Sequence, residues 1–284
     1  MRKLTLISGL PRSGSTLLCN LINSNPKFHS TPTSGVIDVL KNMRSTMSHN
    51  VSFKTQNRLE LMPNIQQGLK GFIEGYFYDK EVVFDKCRGW SNNIQLLDTI
   101  LGHSDTKVIW TYRNPVEIIN SIEAQYQKTI LLENSDEAGA PAAFMTLDRR
   151  IGTYMNEGGL VNHPIEILRD ALEMGYGNRI FFISYYDLCN HTQKVMNMIH
   201  EFIGEEKFEY NTKNLKQTVY EYDGIYNYKF MHQIKEGEVK YSETKMVLPQ
   251  KYIDIVSQRY EVLNNFILKG DIEGFLNIIL PSQD

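Results

Sequence analysis

With 284 residues, 42% of them hydrophobic, the chain has enough apolar material for a sizeable core, which excludes a disordered protein and fits one large α/β domain. A net charge of −3 excludes a global electrostatic footprint for nucleic acid or an anionic membrane, so any anion site must be local. Cys19, Cys87 and Cys189 stand far apart in apolar surroundings, as free thiols of a reducing compartment do. No stretch reaches the about 18 apolar residues of a membrane span, so a soluble cytoplasmic protein is expected.

The first element is an apolar strand at residues 4–7, too short for a signal peptide. Gly9 and Gly14 bracket a tight turn, and residues 13–25 have the polar start and apolar spacing of a helix. Strand, glycine turn and helix in this order aim backbone N–H groups and a helix N-terminus at an anion. The segment departs from the nucleotide-binding pattern G-x-x-x-x-G-K-[ST] in one place. Ser15 stands where the lysine belongs, and the positive charge sits inside the loop at Arg12. A phosphate-rich nucleotide is implied; the usual triphosphate chemistry is not.

Residues 31–35 read as a loop, and 36–47 and 64–78 as helices. A buried strand follows at 81–86, a helix at 94–101 closing on Gly102, and a strand at 107–112. Pro115, at a first helical position, opens a helix to about residue 127. Polar residues 133–142, containing Gly and Pro, read as a surface loop. Helices at 143–155 and 163–174, a strand at 179–184 and a helix at 192–203 ending on Gly204 continue the alternation. Such alternation implies right-handed βαβ units: a three-layer, P-loop-like α/β fold with a mostly parallel sheet between helices, its ligand beyond the carboxyl ends of the strands. From residue 206 the strand pattern fades. An aromatic-rich segment (Tyr210, Tyr220, Tyr222, Tyr226, Tyr228, Phe230), a polar stretch at 237–246 and a helix at 250–268 close the chain. No linker or repeat divides it, so residues 1–284 read as a single domain.

A second anion site is marked by Arg113, at the end of a strand, and Ser121, two turns into the next helix. An arginine fork and a hydroxyl suit a phosphate monoester. On its own the pattern is equally turn chemistry followed by a solvated helix serine. The seven histidines never approach metal-ligand spacing, so no metal is expected.

Taken together, Gly-Leu-Pro-Arg-Ser-Gly-Ser-Thr-Leu-Leu after the first strand and the Arg113–Ser121 pair after a later one resemble the PAPS-dependent sulfotransferases. Residues 182–188, Phe-Ile-Ser-Tyr-Tyr-Asp-Leu, are similar to that family's strand ending in Tyr-Glu-Asp-Leu. The resemblance runs from residue 4 to about 204, and the Pro-Arg-Ser-Gly form is closest to the tyrosylprotein and carbohydrate branches. It implies that Arg12, Ser13, Gly14, Ser15 and Thr16 hold the 5′-phosphosulfate of 3′-phosphoadenosine 5′-phosphosulfate (PAPS). Arg113 and Ser121 would hold its 3′-phosphate, and Tyr185 would line the adenine. Arg12 and Lys86 would be the catalytic cations, with 3′-phosphoadenosine 5′-phosphate (PAP) as product, a hydroxyl compound as acceptor and no metal.

The general base does not carry over. The position of the cytosolic branch's histidine is Arg88, and residues 29–35, where the tyrosylprotein branch has a glutamate, contain no carboxylate. By position Asp85 and His29 are candidates for it, although Asp85 equally reads as an ion-pair partner of Lys86, Arg88 or Arg12. The family's C-terminal signature is absent; residues 240–245 fall in a similar place and read either as a cover for the nucleotide or as a solvated loop. Two other readings remain: a P-loop kinase or nucleotide triphosphatase with residues 82–85 as its acidic strand, and a non-catalytic nucleotide-binding module.

Overall fold

The computed structural model describes residues 3–56, 58–77, 79–130, 145–226 and 230–269. Strands β1 (Lys3–Gly9), β2 (Phe28–Thr33), β3 (Val82–Lys86), β4 (Lys107–Tyr112) and β5 (Ile180–Ser184) form a five-stranded parallel sheet in the order β2-β3-β1-β4-β5. The central strands are covered on both faces, which is why their apolar residues run continuously instead of alternating. Leu6, Ile7, Val83, Phe84, Val108 and Ile109 have no exposed surface. From β1 the chain builds β2 and β3 on one side, then crosses to β4 and β5 on the other. The carboxyl ends of β1, β3 and β4 therefore meet where the strand order reverses, the place at which such sheets receive ligands.

The connections carry α1 (Ser15–Asn23), α2 (Val36–His49), α3 (Val51–Lys54), α4 (Arg58–Tyr76), α5 (Ile94–Leu101), α6 (Pro115–Ile130), α7 (Leu147–Met155), α8 (Asn162–Glu173), α9 (Tyr185–Asn190) and α10 (Thr192–Ile203). Beyond them lie α11 (Gln250–Arg259) and α12 (Glu261–Lys269). On one face α1 and α10 bury Leu18, Ile22, Met196 and Ile199 with Ile7, Phe84 and Ile109. On the other, α2, α5, α6 and α8 bury Leu40, Leu97, Ile119 and Leu168 with Leu6, Val83 and Trp110. This is the three-layer α/β architecture that the alternating pattern implied.

The local differences have physical reasons. Residues 28–33, expected to be loop in part, form an edge strand. Phe-His-Ser-Thr-Pro-Thr has no apolar run, and Pro32 is tolerated because β2 pairs on one side only, with an irregular register between Ser30 and Thr33. The helix expected from residue 64 starts at Arg58 and contains Pro63. Residues 185–190 form a helix of their own, capped by Ser184 Oγ, which accepts from Asp187 N at 3.1 Å. The expected helix at 250–268 is two helices that break at Tyr260. The polar stretch 133–142 and the start of the helix expected from 143 lie outside the described residues.

After α10 the chain returns across the carboxyl edge of the sheet. Between residues 205 and 249 its described part holds a 3-10 turn, Asp223–Tyr226, and one antiparallel bridge, Leu215 to Gly237. Side chains fasten it. Buried Asn20 of α1 accepts from the backbone N–H groups of Thr218 (2.5 Å) and Val219 (2.9 Å). The Gln217 amide donates to the carbonyls of Val219 (3.0 Å) and His232 (3.1 Å) and accepts from Ile234 N at 3.1 Å. Asn120 of α6 donates to the carbonyls of Thr244 and Lys245 and accepts from Val247 N at 2.8 Å.

Candidate active site

The loop between β1 and α1 is bent by residues of positive φ. Gly9 (φ 134°) lies so close to β4 that a Cβ there would collide with the Thr111 backbone. Gly14 (φ 88°) caps α1 against Tyr185, whose Cδ2 would lie 2.6 Å from a Cβ at that position. Arg12 itself is left-handed, at φ 55°. Ser13 is buried, and its Oγ donates to Leu10 O (2.5 Å) and pairs with Thr111 Oγ1 (2.6 Å). The Ser13 hydroxyl thus pins the loop to β4, leaving Arg12, Gly14, Ser15 and Thr16 to line the cavity beside it.

That cavity has a volume of about 350 Å³. Arg12, Lys86, Arg88, Arg113, Lys235 and Lys240 line it, against Glu238 as the one lining carboxylate among the described residues. The chain's net negative charge thus conceals a local cationic site. Lys86 is placed by β3, Arg113 by the end of β4, and both are nearly buried. Arg113 donates from Nε to Glu117 Oε2 at 2.9 Å, from Nη1 to Arg12 O at 3.4 Å, and lies 4.6 Å from the centre of the Tyr185 ring. Burial pushes the Tyr185 phenol up to about 12.

Arg12 and Ser121 come together. Arg12 Nε donates to Ser121 Oγ at 3.2 Å, and Nη1 donates to the carbonyl of Met231. The guanidinium therefore reaches towards Ser121 and the returning chain at Met231. Burial first, then the neighbouring Arg113, lowers its pKa from the ordinary guanidinium value.

The two base candidates lie elsewhere. Asp85 is wholly buried beneath the cavity and does not line it. Its Oδ2 accepts from Trp90 Nε1 at 2.8 Å and its Oδ1 from Thr31 Oγ1 at 3.1 Å, while Thr31 Oγ1 accepts from Lys86 N at 2.9 Å. Burial thus keeps the general-base candidate Asp85 off the cavity surface, and its oxygens meet the neutral donors Trp90 and Thr31 in place of an ion pair with Lys86, Arg88 or Arg12. Burial raises the Asp85 pKa, with hydrogen bonds from Ser34, Trp90 and Thr31 opposing. His29 lies on a separate cavity with Asp79 and Lys80, its pKa lowered by burial and then by Lys80.

The returning segment supplies what the sequence reading missed. Lys86 Nζ is paired with Glu221 Oε1, and both side chains are almost fully buried. Glu221 Oε2 makes no hydrogen bond and lies 3.5 Å from His232 Nε2. His232 Nδ1 lies 2.6 Å from Asp223 Oδ1, and His232 N donates to Asp223 Oδ2 at 3.1 Å. His232 lines the cavity. Lys240 and Ser242 do so as well, while Tyr241 between them packs on Tyr185 and Tyr186 and donates to Glu117 Oε2 at 2.9 Å. Residues 240–242 are therefore a wall of the cavity. The available signal was a histidine and two carboxylates in an aperiodic segment, too weak to stand alone.

A parallel sheet whose first glycine loop opens a cationic cavity at the strand-order reversal defines a P-loop-like α/β fold with a site suited to anions. Residues 2–246 match the family described as "Sulfotransferase domain", and the chain belongs to that family. Its activity is sulfuryl transfer, and the kinase or triphosphatase alternative is not favoured. Two solved structures share the fold. One is the sulfotransferase domain from the curacin biosynthetic pathway: 15% identity, TM-score 0.50, covering 92% of this chain and 98% of that chain. The other is a sulfotransferase from Alicyclobacillus acidocaldarius: 9% identity, TM-score 0.53, covering 97% and 98%. No curated protein matches the chain in sequence. Among the described residues, no helix is long and apolar enough to cross a membrane.

Proposed function

We propose that the chain moves the sulfuryl group of PAPS to a hydroxyl acceptor by in-line displacement, releasing PAP and acting as a single catalytic domain. The observation that carries this reading is the convergence of Arg12, Lys86 and Arg113, from three different strand ends, on one cavity. PAPS bears negative charge at both ends of its ribose, so a site for it needs cations at two places. In this reading the N–H groups of residues 13–16 and the hydroxyls of Ser15 and Thr16 hold the 5′-phosphosulfate. Lys86 faces the transferred group and stabilises the departing phosphate oxygen. Arg113 and Ser121, bridged by Arg12, hold the 3′-phosphate, and Tyr185 flanks the adenine. Fixed donors aimed at developing charge supply the catalysis. Asp85 acts indirectly, tying β3 to Thr31 and Trp90 so that Lys86 is held in place. A cytoplasmic setting belongs to the same proposal and is supported by the free Cys19, Cys87 and Cys189.

PAP should raise the melting temperature well above any shift given by ATP–Mg²⁺; equal shifts would count against the donor. Arg113→Ala should weaken PAP about 10- to 100-fold, since hydrogen bonds to charged groups contribute about 1.5–3 kcal/mol. Binding of 5′-AMP, which lacks the 3′-phosphate, should barely change. An equal loss for both nucleotides gives Arg113 a different task.

A further inference from the structure

The transferred sulfuryl group carries one negative charge, and in the PAPS reading it lies against Lys86. Lys86 already holds a group of that charge. Its Nζ is paired with Glu221 Oε1, and the two side chains are 7% and 5% exposed. The other carboxylate oxygen, Oε2, is buried without a hydrogen bond. Glu221 is nonetheless ionised: burial raises its pKa, but the charge and hydrogen bond of Lys86 outweigh that. A buried charge satisfied at one oxygen only is held by its ion pair and gains water on leaving.

The chain around Glu221 lets it leave. Tyr220 and Tyr222, on either side, are each 69% exposed, so Glu221 alone of the three turns inward. Val219 N donates to Asn20 Oδ1 at 2.9 Å and His232 N to Asp223 Oδ2 at 3.1 Å. These two fastenings bracket the acid, and neither is made by it.

We propose that Glu221 is the donor-sensing residue of the transfer: it occupies Lys86 while no sulfuryl group is present, and the sulfuryl group of PAPS displaces it. This rests on the PAPS reading above. The Lys86 ammonium compensates one buried negative charge. A sulfuryl group beside it would add a second, and two anions on one buried cation repel strongly where water is excluded. Exchanging the carboxylate for the sulfuryl group removes that repulsion and frees residues 220–223 from the end of β3. PAP has no sulfuryl group, so the pair persists in the product complex and re-forms after each transfer. Glu221 therefore separates donor from product at the one group by which they differ. Part of the binding energy of that group goes into opening the cavity wall.

The test uses the whole chain, with PAPS and PAP titrated separately by calorimetry without acceptor. Glu221→Gln removes the competing charge. It should tighten PAPS about 10- to 100-fold, the worth of a hydrogen bond to a charged group, and leave PAP within about twofold of the parent. The melting temperature of the empty variant and of its PAP complex should fall, because Lys86 loses its counter-charge, and that of the PAPS complex should fall less. A purely structural Glu221 would change both nucleotides alike. In the parent chain, amide exchange at Val219 and His232 should quicken on adding PAPS and not on adding PAP. Unchanged or weaker PAPS binding in Glu221→Gln, or an equal change for both nucleotides, overturns the assignment while leaving the donor site intact. Should the variant not fold, equal exchange in the two parent complexes overturns it. A parent chain that binds neither nucleotide removes the donor reading, and this assignment with it.

Discussion

The carboxyl ends of β1, β3 and β4 and the returning segment 205–249 line the same cavity but are built by different physics. The strand ends are fixed by a hydrogen-bonded ladder. Ile7 pairs with Lys86 and Gly9 with Thr111, so each functional residue takes its place from the register of buried neighbours. The returning segment has one isolated bridge among its described residues and is held mainly by the side chains of Asn20, Gln217 and Asn120. A scaffold of the first kind sets where the fixed charges stand. A segment of the second kind can be altered in sequence without disturbing the sheet, and it carries Glu221, Asp223 and His232. Lys86 and Arg113 therefore sit on rigid elements, and Glu221, Asp223 and His232 sit on the part held by few bonds.

The largest expected effect lies at the strand ends. Lys86→Ala should lower turnover by on the order of 10²–10³, with a smaller change in PAP affinity, because in the proposed transfer the ammonium acts on charge that develops during the step. The substitution also strands the buried Glu221 carboxylate, which is itself destabilising. The double variant Lys86→Met/Glu221→Gln removes both charges and separates the two effects. If its turnover is lost while its unfolding midpoint matches the parent, the loss is catalytic. If turnover and PAP affinity fall by the same factor, Lys86 anchors the donor and does no more.

A smaller and more local effect is expected at the fastening of the returning segment. Asn20→Ala takes the acceptor from two backbone N–H groups and should cost about 1–3 kcal/mol. Amide exchange should quicken at Thr218 and Val219 and in neighbouring described residues of the segment, while protection of β1, β3 and β4 is kept. Turnover should fall more than PAP affinity. Equal loss of protection in sheet and segment would mean that the two regions are one cooperative unit.

The same contrast explains what could be read from the amino-acid sequence. β1, its glycine loop and α1 announce themselves because an apolar run, two glycines and a helical spacing are local patterns. β3, β4 and the Arg113 turn do so for the same reason. β2 escaped because an edge strand with Pro32 needs no apolar run. Asn20 gives no local signal, since its role depends on a segment almost two hundred positions away in the chain. His232 and Asp223 lie nine residues apart with no periodic element between them, and only the path of the returning chain brings them to Lys86.

The smallest effect is expected at Asp85, where it still separates two roles. A carboxylate that took the acceptor's proton would be indispensable, whereas one that anchors β3 should be replaceable by its amide. Asp85→Asn keeps an oxygen for Trp90 Nε1, and the Thr31 hydroxyl can accept from the new amide. Turnover and PAP affinity should stay within about threefold of the parent, well below the 10² minimum typical of a general base. Stability supplies the sign. Because burial raises the folded-state pKa of Asp85, the folded chain binds its proton more readily than the unfolded chain does. Parent stability is therefore lost as pH rises from the ordinary carboxylate value through the raised one, a loss the amide cannot suffer. The unfolding midpoint of Asp85→Asn relative to the parent should climb across that acid window and level off above it. A variant that binds PAP normally but no longer turns over would instead return Asp85 to the chemistry.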